Sequence, residues 1–184
     1  MLKITQASKS YGSDVKAVDG LDLEVKPGEI FGFLGPNGAG KTTTIKMTVG
    51  VLAPDEGTIL VNGRDIVKDQ IEAKKQIGFV PDEAQIWEKL TGVEYLNFMG
   101  DVYRVPGEER ERRILPLLET FEMTGPVKDP IGSYSRGMRQ KICLIGSLLH
   151  RPPLWILDEP MMGLDPRSSF LLKELMRSHA DQGG

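Results

Sequence analysis

The chain has 184 residues, with 23 Lys+Arg against 26 Asp+Glu and a formal net charge of −3 at pH 7. Its 40% hydrophobic and 27% charged residues are those of a globular domain able to bury a core, which excludes disordered, collagenous and coiled-coil classes. The slight acidic excess leaves no basic stripe for nucleic acid, the single cysteine, Cys143, excludes an internal disulfide framework, and the lack of a long apolar run or signal-peptide core sets the expectation of a cytoplasmic chain.

Apolar and charged residues alternate from Leu21 to Lys26, and Pro27-Gly28 adds turn chemistry, so a half-exposed antiparallel strand is expected to end by Glu29. Ile30 to Leu34 is apolar without alternation, which predicts a strand buried on both faces of a parallel sheet. A glycine-rich loop and a helix follow. Thr58 to Val61 reads as a short strand, Asn62-Gly63 as a tight turn and Ile77 to Val80 as a second buried strand. From about Pro81 to Gly132 the apolar spacing becomes helical (Val93, Leu96, Met99, then Ile114, Leu117, Leu118, Phe121), predicting an inserted helical lobe over residues 82–132. Pro116 conflicts with its second helix, so a kink or a late start is expected there. A helix from about Met138 to Leu149, a strand from Leu154 to Leu157 and a last helix opened by Asp165-Pro166 and running to about His179 complete the order.

Gly35-Pro36-Asn37-Gly38-Ala39-Gly40-Lys41-Thr42 matches G-x-x-x-x-G-K-[ST] between a strand and a helix, and Thr43 continues it. Gly38 and Gly40 allow the backbone amides to approach a phosphate, Lys41 neutralises its oxygens, and the Thr42 hydroxyl suits magnesium. Asp158 and Glu159 end the Leu154–Leu157 strand, at the edge where ligands of parallel sheets bind. Asp158 is expected to serve the metal shell and Glu159 to polarise a water. Cys143 reads as a packed thiol, His150 as a helix-end cation, and the mixed-sign run Glu108 to Arg113 as a solvated helix face, with partner docking as the alternative.

Between the two motifs, Tyr134-Ser135-Arg136-Gly137-Met138-Arg139-Gln140-Lys141 resembles the signature of ATP-binding-cassette ATPases in a bacterial exporter-type variant. Tyr134, Arg136 and Met138 replace leucine, the first glycine and glutamine, while Ser135 and Gly137 stay. The resemblance covers essentially the whole chain. It implies an α/β fold, a P-loop NTPase core with an antiparallel β lobe and an inserted helical subdomain. It also implies a role for Tyr11 in stacking on adenine and a D-loop at Pro160–Asp165, where Met161-Met162 replace a small polar pair and read as packing. Asp82, after Phe79-Val80-Pro81, stands where the family carries a glutamine that reaches magnesium and the attacking water. The implied cofactors are ATP and magnesium, with Lys41, Glu159 and Asp82 catalytic and with Thr42, Asp158 and Asp82 on the metal. The loop Gly35 to Thr43, Tyr11, Ser135 and Gly137 would hold nucleotide. The implied partners are integral membrane subunits and a second ATP-binding domain, with the chain peripheral on the inner membrane face. A soluble cassette ATPase acting on nucleic acid or the ribosome, and a regulatory module that does not hydrolyse, are the alternatives. The family also continues beyond the last helix into a core strand and a histidine that contacts the γ-phosphate, a part His179 does not fill. The expectation is therefore a C-terminally truncated cassette, with its sheet open in the middle, unstable and feebly active alone.

Overall fold

The computed structural model describes residues 1–12, 15–84 and 86–184. Two compact units emerge, Met1–Ile77 with His179–Gly184, and Gly78–Ser178.

In the first unit, β1 (Leu2–Tyr11), β2 (Val15–Val25), β3 (Glu56–Val61) and β4 (Arg64–Asp65) form an antiparallel sheet in the order β2-β1-β3-β4. Alternation explains it: Leu2 and Ile4 are buried while Lys3 and Thr5 face solvent, and Val25 is buried beside exposed Glu24. The expected half-exposed strand is the second half of β2, which stops at Val25 rather than Glu29. Gln6 takes a positive φ of 47° at a register shift of β1, and its amide donates to Asp22 Oδ1 at 2.9 Å. At the expected Asn62-Gly63 turn both residues have positive φ, 47° and 77°, which suits a type I′ hairpin. Two helices, α1 (Lys41–Thr48) and α2 (Gln70–Lys74), complete this unit.

One expectation fails here. Ile30 to Leu34 forms no strand, and Ile30, Phe31 and Leu34 are 51%, 47% and 93% exposed. An apolar run becomes a strand only when a neighbour completes its ladder, and among the described residues none pairs with it.

The second unit holds β5 (Ile77–Val80) and β6 (Leu154–Leu157), the parallel part of the fold, with the Asp158 amide donating to the Val80 carbonyl at 2.9 Å. The expected helical lobe is present as α3 (Gly92–Val102) and α4 (Gly107–Thr120), followed by 3-10 turns at Pro126–Lys128 and Ile131–Ser133. Thr91 and Glu94 form a capping box that starts α3. Next come α5 (Arg136–Leu148) and α6 (Pro166–Asp181). Leu96, Phe121, Ile131, Ile142, Leu144 and Leu172 share one buried cluster.

Pro116 lies inside α4, which starts well upstream of it, so there is no late start. Its ring leaves the Arg112 carbonyl without a helical donor, and Arg112 and Pro116 are both exposed, so water can serve that oxygen. The charged run on α4 is only partly a solvated face. Arg110 and Arg113 have side chains 17% and 19% exposed. Arg110 donates to the carbonyls of Val105 at 2.6 Å and Asn97 at 3.1 Å, clamping the α3–α4 turn. Arg113 donates to the Leu149 carbonyl at 2.8 Å, at the end of α5. His150, the next residue, stacks on Tyr103, with centroids 3.6 Å apart and planes 6° from parallel. Cys143 is packed as expected: burial pushes its thiol up to about 11, with the Tyr95 hydroxyl 3.9 Å from Sγ.

Candidate functional site

In the first unit the loop Gly35 to Gly40 leads directly into α1, with Gly40 as its N-cap at φ 83°. Two glycines are required there for different reasons. At Gly38, φ is 82° and an added Cβ would meet nothing within 4 Å, so its surroundings are open. At Gly40 an added Cβ would stand closer than 3.0 Å to the Ala17 carbonyl oxygen of β2, so this glycine lets the start of α1 lie against the sheet. The Ala39 amide donates to the Pro36 carbonyl at 3.2 Å and closes the loop. Lys41 curls back, its Nζ donating to the carbonyls of Gly35 at 2.6 Å and Pro36 at 2.9 Å. The first-turn amides of Lys41, Thr42 and Thr43 have no acceptor within the helix, which leaves donors for an anion beside an ammonium. Thr42 is exposed, Thr43 half-buried and Thr44 buried, so Thr42 is the hydroxyl best placed to reach a ligand. Tyr11 ends β1, paired with Val15, and is exposed.

In the second unit, Asp158 and Glu159 follow β6. Glu159 is exposed and adopts a positive φ of 46°, as do five other described non-glycine residues, Glu122 among them. Ser135 caps α5, its Oγ accepting from the Met138 amide at 3.2 Å. That cap starts the helix at Arg136, earlier than Met138. Tyr134 faces inward, its hydroxyl donating to the Pro126 carbonyl at 2.7 Å, so its ring packs the lobe's core. An added Cβ at Gly137 would lie 2.6 Å from the Gly163 carbonyl, so Gly137 permits a close approach of the Pro160–Asp165 loop. Lys141 Nζ stands 3.1 Å from Asp165 Oδ2. Asp165 caps α6 through the Ser168 amide at 2.8 Å. The Ser168 hydroxyl and amide, then Lys141, hold the Asp165 carboxyl far below its ordinary range. Of the two methionines, Met161 packs against the buried cluster as expected, while Met162 is exposed with its sulfur facing Arg136.

The sequence reading missed one contact: Arg136 Nη2 lies 3.6 Å from Asp82 Oδ1. Opposite charges at two departures from the family's pattern, Asp82 in place of the glutamine and Arg136 in the signature, were the available signal.

The family described as "ABC transporter" matches residues 18–162. The chain belongs to the ABC transporter family. Among its relatives, the linearmycin resistance ATP-binding protein LnrL of Bacillus subtilis (strain 168) is 39% identical over 183 residues, 100% of this chain and 58% of LnrL. The chain thus spans little more than half the length of that relative. A solved ATP-binding subunit of an ABC transporter superposes with a TM-score of 0.95 at 32% identity, covering 100% of this chain and 76% of that one. The dimeric ATP-binding cassette MJ0796, in a post-hydrolysis state bound to ADP and Pi, gives a TM-score of 0.86 at 26% identity, covering 100% and 84%. The expected α/β fold with a P-loop NTPase core is the fold of these ABC neighbours.

Proposed function

We propose that this ABC chain binds ATP with magnesium and hydrolyses it to power transport through separate integral membrane subunits. The observation that carries this reading is the loop Gly35 to Thr43, which presents an open glycine bend, first-turn amides and the Lys41 ammonium together. These residues fit a triphosphate.

Lys41 would exchange two neutral carbonyl acceptors for anionic phosphate oxygens, and hydrogen bonds to charged groups are worth about 1.5–3 kcal/mol each. Gly38 gives the phosphates backbone access, and the amides of Lys41, Thr42 and Thr43 supply the helix-end donors. Pro36, Asn37 and Ala39 complete the loop, and Tyr11 offers an exposed ring for adenine. Thr42 and Asp158 are the residues this reading assigns to magnesium. Magnesium, when bound, neutralises phosphate oxygens during in-line displacement. Glu159 takes the proton of the attacking water. Its left-handed backbone turns the chain as β6 ends and leaves the side chain exposed to receive that proton.

The second copy in this reading contributes Ser135 and Gly137 head to tail; the dimeric state named for MJ0796 supports this arrangement. No helix among the described residues is long and apolar enough to cross a membrane, which agrees with a chain seated peripherally on the inner membrane face against separate subunits. The resistance function named for LnrL supports outward transport.

Nucleotide titration of Lys41→Ala is the test. Removing the ammonium is expected to abolish measurable ATP binding with the melting temperature retained. Unchanged affinity would remove the basis of this reading.

A further inference from the structure

The start of α5 carries an electrostatic problem. A helix N-terminus is positive and favours acidic residues in its first turn. Here the first turn has none, and Arg136 occupies its first position with Arg139 one turn along. Both counter-charges come from the segment that follows β5. Arg139 Nη2 lies 3.1 Å from Glu88 Oε1, and Arg136 Nη2 lies 3.6 Å from Asp82 Oδ1.

The Asp82 contact is more than a solvated surface pair. The two side chains are 57% and 43% exposed, yet the Asp82 oxygen facing Arg136 is itself shielded from solvent and has no hydrogen-bond partner among the described residues. An oxygen so placed depends on the nearby guanidinium for its stabilisation. Arg136 in turn lies across Gly163, where an added Cβ would sit 3.3 Å from its Cγ and Cδ, and its guanidinium reaches the Met162 sulfur. One arginine thus joins the end of β5, the cap at Ser135 and the loop at Met162-Gly163.

We propose that Asp82 is a positioning residue that acts through Arg136. The pair neutralises an unfavourable cation at the start of α5 and fixes the relative placement of Asp82, the Ser135–Gly137 segment and the Met162-Gly163 loop. Asp82 is then occupied by this pair rather than by magnesium or the attacking water. This inference rests on the ATPase reading above.

The test is a double-mutant cycle on the full-length protein in its membrane complex. Magnesium-dependent ATP turnover is measured for the parent, Asp82→Asn, Arg136→Gln and the double variant. Each single change is expected to lower kcat by about two- to thirty-fold, the range for couplings carried by a packed network. The double variant should lose no more than the worse single. Asp82→Glu, which keeps the charge, should recover most of the loss, as should the reversal Asp82→Arg with Arg136→Asp. The KM for ATP and the magnesium concentration for half-activation should stay within about two-fold of the parent, because no substrate or metal contact is removed.

Additive losses, or a half-activating magnesium concentration raised tenfold in Asp82→Asn alone, would overturn the proposal and return Asp82 to the metal shell. A parent without magnesium-dependent turnover would instead defeat the ATPase reading. The same four proteins are then compared by melting temperature, where non-additive shifts support the pair and additive shifts overturn it.

Discussion

Gly40 separates two demands that a phosphate-loop glycine can meet, conformational and steric, and Gly38 provides the control. Both have φ near +80° (82° and 83°), so alanine at either position pays the left-handed cost, about 1–2 kcal/mol. Alanine also narrows the unfolded ensemble, which returns about 0.4–1 kcal/mol. At Gly38 nothing lies within 4 Å of the added Cβ, so the net loss in Gly38→Ala is about 0–1.6 kcal/mol from these two terms. At Gly40 the Cβ would fall inside 3.0 Å of the Ala17 carbonyl, a backbone atom of β2 that cannot rotate away. Relieving such overpacking adds about 1–3 kcal/mol, so Gly40→Ala should lose about 1–4.6 kcal/mol in all. Urea unfolding of the two variants beside the parent reads the difference directly. In thermal unfolding, each kcal/mol is worth roughly 2–4 °C for a chain of this size. Equal losses at the two glycines would refute the steric role of β2 and leave only the dihedral requirement.

Glu159→Gln keeps the left-handed backbone and an exposed side chain, so its stability should lie within about 0.5 kcal/mol of the parent. ATP turnover should nonetheless fall by about 10²–10⁴-fold as the proposed base is lost; phosphate release at the parental rate would show that Glu159 is not that base. For Asp165 the folded-state carboxyl ionises more readily than the unfolded one, so its contribution is complete well above 3.8 and fades as pH falls below that value toward the folded-state one. Asparagine preserves the cap but not the charge, so Asp165→Asn should be less stable than the parent by about 0.3–1 kcal/mol near neutral pH. That gap should close in acid, and urea unfolding showing a gap independent of pH would contradict the assignment. Cys143, with its thiol raised to about 11 by burial, should resist iodoacetamide at pH 8 while folded and react once urea unfolds the chain.

Legibility in the sequence followed the range of the interaction. The phosphate loop could be read because glycine spacing, the lysine and the threonine are consecutive, and the chain places them consecutively at the start of α1. The Asn62-Gly63 turn and the Ser135 and Asp165 caps were legible for the same reason: each closes on an atom within three residues. The helical lobe was visible because apolar residues recur at helical spacing along α3 and α4, where Leu96 and Leu118 are buried and Met99, Ile114 and Leu117 pack against the same cluster. Ile30 to Leu34 was misread because its apolar pattern specifies burial, whereas a strand also requires a partner's backbone.

The sequence alone determined the caps, the tight turns and the local chemistry of the phosphate loop, since these are properties of neighbouring residues. Tertiary structure decided what distant residues do to one another. It made Arg110 and Arg113 clamps instead of a solvated face, stacked His150 on Tyr103, and set Gly137 against the Gly163 carbonyl. It also brought Asp82 to Arg136. No local pattern encodes that pairing, because two charges 54 positions apart (136 − 82) meet only when the packing of β5 and α5 carries them to the same place.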